Sequence, residues 1–308
     1  MPFLRVHHVT TYRYRQPVAF GEHRIMVRPR DGHDQRLISA EIDIDPAPAR
    51  LRWVHDVFGN CVALAAFDRR AETLRFDCRV ALDHHPAAPL QFALDEHAAF
   101  YPFAYDADDM PDLLRLIERA WPDREREVDR WARGFLRHGR ANRTEELLAD
   151  IARAIHRGFA YGARDAAGVQ DPAVTLARRS GSCRDFAVLM MEAARALGLA
   201  ARFVSGYLHA PAQGGRVGGG ATHAWVQVFL PGAGWVEYDP TNGIVGTNQD
   251  LIRVAVARDP LQAVPISGTW TGFPSDHLSM NVTVEVTEAT PPSPQIEPHA
   301  DSRIAATG

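Results

Sequence analysis

Cysteine is scarce in this chain and odd in number: Cys61, Cys78 and Cys183 are the only three in 308 residues, and no two stand in CxxC spacing. A disulfide framework and a zinc ribbon both need paired thiols, so neither is expected. His7-His8 and His84-His85 are poor metal sites as well, because adjacent residues on a strand point to opposite faces. No metal and no organic cofactor is expected. Long apolar runs are also missing; none approaches the roughly 18 residues of a membrane span. Met1-Pro-Phe-Leu-Arg-Val-His lacks the charged and then apolar regions of a signal peptide. The expected location is the cytoplasm, where reduced thiols persist. Basic excess is lacking too: a net charge of −4 and a pI near 6.4 leave no footprint for nucleic acid or an anionic membrane.

What the chain does contain is enough apolar material for real cores, 46% against 23% charged, at a length that suggests two domains. Residues 3 to 83 alternate with the period of strands. Leu4 to Tyr12, Ile38 to Ile44, Leu51 to Val54, Val62 to Phe67 and Thr73 to Leu82 are separated by Pro46, Pro48 and Gly59-Asn60. A β-sandwich of about seven strands over 1–88 is expected. Arg24, Arg28, Arg30 and Arg36 read as a solvated strand face, and Cys61 and Cys78 as structural. Pro86-Ala-Ala-Pro-Leu is a linker. Beyond it the period becomes helical over Pro111 to Trp121, Arg124 to Arg137 and Thr144 to Arg157, with a short helix over Ala173 to Arg179. The second domain is expected over 89–288, ending in a strand Met280 to Val286, and the Pro-rich polar residues 289–308 are expected to be a disordered tail.

The stretch that organises the second half is Ser180-Gly-Ser-Cys-Arg-Asp-Phe-Ala187 and the apolar run behind it. Ser182 followed three residues later by Asp185 is a capping box, and Gly198 is a stop after Leu197. Cys183 therefore falls in the first turn of a helix whose apolar residues cover most of its circumference, as in a buried helix. Helix N-termini stabilise thiolates through unpaired N–H groups and the helix dipole. A buried cysteine can equally be a small packing residue.

Thr222 to Leu230 alternates as a strand, Pro231-Gly-Ala-Gly234 is a turn, and Trp235 to Asp239 returns. A two-residue loop would put His223 and Asp239 on opposite faces. A loop of three or five residues puts them on one face, with Asp239 opposite Trp225 and His223 one diagonal step away, roughly 7 to 8 Å.

Gly-Ser-Cys183-Arg-Asp-Phe-Ala, His223-Ala-Trp-Val and Asp239-Pro-Thr-Asn-Gly243 resemble the three signature blocks of the transglutaminase-like superfamily of cysteine proteases, in the same order and on the same kinds of element. The first ninety residues resemble, more loosely, the N-terminal β-rich region of the bacterial branch. The resemblance implies an α+β protein, an N-terminal β-sandwich followed by a papain-like core with the cysteine helix packed on an antiparallel sheet. It implies Cys183 as nucleophile, His223 as general base and Asp239 as the residue that orients the imidazole. A peptide or protein amide substrate follows, with water as acceptor in a protease or amidase and a lysine amine in a transglutaminase. An inactive binding or scaffold protein of the same fold is the reading from a different class. Tyr161 is a candidate for lending its hydroxyl to the reacting carbonyl, and Trp225 for packing over the site. Either can instead be ordinary packing. Gln213 to Ala221, rich in glycine, is expected as a flexible lid beside the site or a disordered connector; it lacks the Gly-Lys-Ser/Thr ending of a phosphate loop.

Overall fold

In the computed structural model of the protein, residues 3–85, 93–162, 164, 168–209, 216–246 and 250–290 are described. The linker expected at Pro86 to Leu90, residues 213–215 of the glycine-rich segment and nearly all of the expected tail lie outside them.

The alternating N-terminal sequence folds as strands with one buried face. Phe3–Phe20 is the spine of the first sheet, with Arg70–His84 on one side and His277–Ala289 on the other, so that Val6 stands opposite both Val80 and Val286. Gln35–Asp45 extends the sheet beyond Arg70–His84. A second sheet, ordered Ile266–Ser267, His23–Ile25, Cys61–Ala66, Arg50–His55, closes the sandwich. Ile25, Val27, Ala63 and Ala65 meet Val18, Phe20, Leu74 and Phe76 between the two sheets. Strand period alone foresaw all of these N-terminal strands but the short His23–Ile25. It did not foresee that the chain returns: residues counted with the second domain, Ile266–Ser267 and His277–Ala289, complete both sheets of the first.

The second half is built on a five-stranded antiparallel sheet in the order Ile244–Val245, Gly234–Asp239, His223–Leu230, Ala201–Leu208, Leu251–Ala257. The helix Cys183–Ala196 packs against it, Val188, Leu189, Met190 and Met191 joining one core with Ala224, Val226, Val228 and Val236. Thr144–Gly158, Glu127–Arg133 and Pro172–Arg178 cover the rest of this helix, and every residue from Asp185 to Arg195 is buried. Each fully buried aliphatic side chain contributes about 1.5–3 kcal/mol, so packing rather than propensity holds the helix. Its two internal charges are matched: Arg195 and Glu192 pair at 3.0 Å, and Arg119 adds a second ion pair to Glu192 at 3.1 Å. Gly198, at φ 79°, ends the helix as expected, with Leu199 N–H closing on Ala194 O at 3.0 Å.

Sandwich and core share an interior. Leu4, Val6, Val80 and Leu82 pack against Tyr207, Ile252 and Val254. Asn60 substitutes for a strand neighbour, donating to Val256 O at 2.7 Å and accepting from Val256 N–H at 2.9 Å. Arg253 reaches across, bidentate to Asp34 at 2.6 and 2.8 Å and on to Glu237 at 3.1 Å. Among the described residues no helix is long and apolar enough to cross a membrane.

Candidate active site

Ser182 is the N-cap and Cys183 the first residue of its helix, as the capping pattern requires. Asp185 Oδ2 accepts from Ser182 N–H at 2.8 Å and from the Ser182 hydroxyl at 2.9 Å. The carboxylate reaches beyond its own cap: Oδ1 accepts from Gln170 N–H at 2.6 Å, and Arg164 pairs with Oδ2 at 3.0 Å. The approach loop is thereby tied to the helix start, and Cys183 is 6% exposed.

The hairpin loop has three residues, Leu230 standing opposite Gly234 and Val226 opposite Tyr238. Continued by one step, that register sets Asp239 opposite Trp225 and puts His223 on the same face. His223 Nε2 donates to Asp239 Oδ2 at 2.8 Å, both side chains being fully buried. Burial by itself pulls the imidazole's pKa down. The charge and hydrogen bond of Asp239, and then those of Cys183, more than offset it and raise it to about 10. Among the described residues no donor or acceptor meets Nδ1 in full hydrogen-bond geometry, and Cys183 is the thiol near enough to act on the ring. Asp239 is likewise pulled two ways: burial pushes its pKa up, and His223, Asn242 and the Thr241 N–H outweigh that and hold it low.

Asp239 has a full set of donors. Oδ1 accepts from Thr241 N–H at 2.9 Å and Asn242 N–H at 3.3 Å, and Oδ2 from Asn242 Nδ2 at 2.8 Å in addition to His223. His156, from the helix Thr144–Gly158, holds Thr241 O at 2.8 Å. Trp225 stacks on His223 with ring centroids 5.9 Å apart and planes 27° from parallel, and is fully buried. The absence of a side chain at Gly206 makes room for it: a Cβ there would lie 2.6 Å from Trp225 Cη2. Tyr161 is half-exposed with its ring edge-on to Phe186. Burial first, and then the neighbouring Cys183, raise its pKa.

Known proteins match this arrangement in two segments. Residues 4–83 match the bacterial transglutaminase-like N-terminal region, and residues 130–240 the core of the transglutaminase-like superfamily. An uncharacterized protein of Mycobacterium tuberculosis is 31% identical over 298 residues, covering 92% of this chain and 91% of its own. The chain belongs to the transglutaminase-like superfamily. Within it, a protein-glutamine gamma-glutamyltransferase of Pseudomonas aeruginosa is 29% identical over 186 residues, 56% of this chain and 27% of that relative. A solved structure from Cytophaga hutchinsonii, whose protein carries a provisional assignment as a cysteine protease, superposes with a TM-score of 0.67 at 19% identity. It covers 94% of this chain and 93% of that one, and establishes a shared fold.

Of the residues singled out in this superfamily member from sequence, Cys183, His223 and Asp239 come together, and Tyr161 is near enough to Cys183 for its hydroxyl to feel the thiol's charge. Trp225 lies behind the imidazole as a buried backing, so it offers no open surface to a substrate in this conformation. Sequence reading passed over Asn242, Gly218 and Arg164. Asn242 belongs to the Asp239-Pro-Thr-Asn-Gly243 block, so its closeness to Asp239 was visible, but its hydrogen bonds to a segment 25 residues away were not.

Proposed function

We propose that the protein is a thiol-dependent acyl-transfer enzyme acting on amide or peptide bonds, a cysteine peptidase or amidase, with Cys183 as nucleophile, His223 as general base and acid, and Asp239 orienting the imidazole. The observation that carries this reading is the placement of His223. Its Nε2 is held by Asp239 at 2.8 Å, and Cys183, on the first turn of a buried helix, acts on the same ring. The Asp239 bond selects the Nε2–H tautomer and leaves Nδ1 to exchange a proton with sulfur.

The chemistry follows from these positions. The thiolate adds to the amide carbonyl, forming a C–S bond and an oxyanion that backbone N–H groups at the helix start accept, each such donor being worth about 3 kcal/mol. Tyr161, whose hydroxyl senses the neighbouring Cys183, is the candidate for a further donor. His223 protonates the departing amine, the C–N bond breaks, and a thioester remains on Cys183. Water then gives a proton to His223 as it attacks the thioester, releasing a carboxylic acid and restoring the thiol.

Similarity to the gamma-glutamyltransferase of P. aeruginosa favours a second reading, in which an amine replaces water in the last step. Incubation with a peptide library, with and without an added primary amine, and mass analysis of the products separates the two. New termini support hydrolysis, and amine-bearing glutamines support transfer. An iodoacetamide-inert Cys183 with neither product would leave only a scaffold.

A further inference from the structure

In the described part of the glycine-rich segment, Val217 is tied to the site by the Asn242 side chain, and Arg216 Nη1 adds a longer contact to Asn242 O at 3.4 Å. The Asn242 carboxamide, 8% exposed, spends Oδ1 on Val217 N–H at 2.8 Å and Nδ2 on both Val217 O at 3.1 Å and Asp239 Oδ2 at 2.8 Å. Only one amide orientation satisfies this set, because a flipped carboxamide would face its oxygen toward a carbonyl and a carboxylate. On one side of Val217, Arg216 is fastened to Asp250 at 2.9 and 3.0 Å. On the other, Gly218 at φ 97° lies against the imidazole, where a Cβ would stand 2.8 Å from His223 Nδ1. Gly220 O then accepts from Val284 N–H at 2.9 Å, on the last strand of the sandwich.

We propose that Asn242 is a positioning residue that locks the Arg216–Gly218 strap and the His223–Asp239 pair into one geometry, so that the strap covers the Nδ1 edge only while Asp239 is correctly held. This rests on the reading of Cys183 and His223 as the reacting groups. A turn asparagine needs one or two local backbone bonds; this one bridges a carboxylate and a remote backbone with every amide hydrogen in use. Loss of its side chain unpairs the Val217 N–H and C=O and removes a donor from Asp239 in the same stroke.

The test is the rate of Cys183 alkylation by iodoacetamide, read by peptide mapping because Cys61 and Cys78 are also free thiols. Asn242→Ala should slow it by about tenfold at neutral pH, the scale of one lost hydrogen bond to a charged group. Gly218→Ala should slow it too, and the double variant should be no slower than the slower single, since both disturb one unit. Independent, multiplying effects would overturn the proposal. Asn242→Asp preserves shape but sets a second carboxylate against Asp239. Its rate relative to wild type should be low at neutral pH and recover toward about pH 4–5, where a protonated carboxyl can donate in place of Nδ2. A wild-type rate at neutral pH in Asn242→Asp would refute the coupling even if Asn242→Ala failed to fold. Should His223→Ala leave alkylation unchanged, the proposed function itself fails; should it slow alkylation while the Asn242 variants do not, only the positioning role fails.

Discussion

Asn242 Nδ2 and His223 Nε2 donate to one oxygen, Oδ2 of Asp239, each at 2.8 Å. Shared acceptance of this kind fixes a buried carboxylate in rotation as well as in place, and the ring that leans on it inherits that order. The expected behaviour of variants follows from how many such contacts each residue makes.

Under the proposed mechanism Cys183→Ala and His223→Ala should each abolish nearly all turnover of an amide or activated-ester substrate, and combining them should add little, because nucleophile and base act as a unit. Asp239→Ala should retain a measurable fraction, since in the proposed mechanism it orients the imidazole without touching the reacting carbon. An acyl adduct on Cys183 should appear by mass as a burst. Full turnover in Cys183→Ala would disprove the mechanism.

Stability should depend on alkaline pH through His223. Its ordinary pKa is about 6.5, and in the folded protein burial is outweighed by Asp239 and Cys183 to give about 10. The folded state thus binds a proton that the unfolded chain releases, and this contribution is complete below about 6.5 and is lost as pH rises toward 10. Urea denaturation of wild type and His223→Gln at several pH values should show a gap that narrows over that window. A gap independent of pH would contradict the assignment.

Asp185→Ala should destabilise the fold by about 3 kcal/mol, since Ser182 N–H and Gln170 N–H lose their acceptor and Arg164 its partner. Chemical denaturation measures this. Alkylation of Cys183 should become slower in the same variant, because the first turn that carries the thiol loses its cap.

Arg253→Ala should cost about 3–5 kcal/mol, the range for stripping one partner from a buried charge pair. Arg253 neutralises Asp34 from the sandwich and Glu237 from the hairpin strand at once. The loss should appear as a lower urea midpoint and as earlier proteolysis between the two sheets. A variant with an unchanged midpoint would show that the shared apolar interior, Val6 and Val80 against Ile252, suffices without the ion pair.

Local chemistry by itself determined a good deal of this protein. Ser182 and Asp185 three residues apart dictate where the cysteine helix begins, because a capping box involves only one turn of chain. A period of two dictates most of the strands between Phe3 and His84. For His223 and Asp239 the sequence narrows the choice to the loop length, and the three-residue loop between Leu230 and Gly234, which the fold decides, puts them on one face. Partners remote in sequence were decided only in three dimensions. Nothing in the residues 277 to 289 says that they pair with residues 3 to 14, since any strand offers the same backbone groups to any edge. The tie between Asn242 and Val217, and the contact of Gly218 with His223, depend likewise on where the chain returns after 25 residues, which the packing of the whole sheet sets and no local pattern encodes.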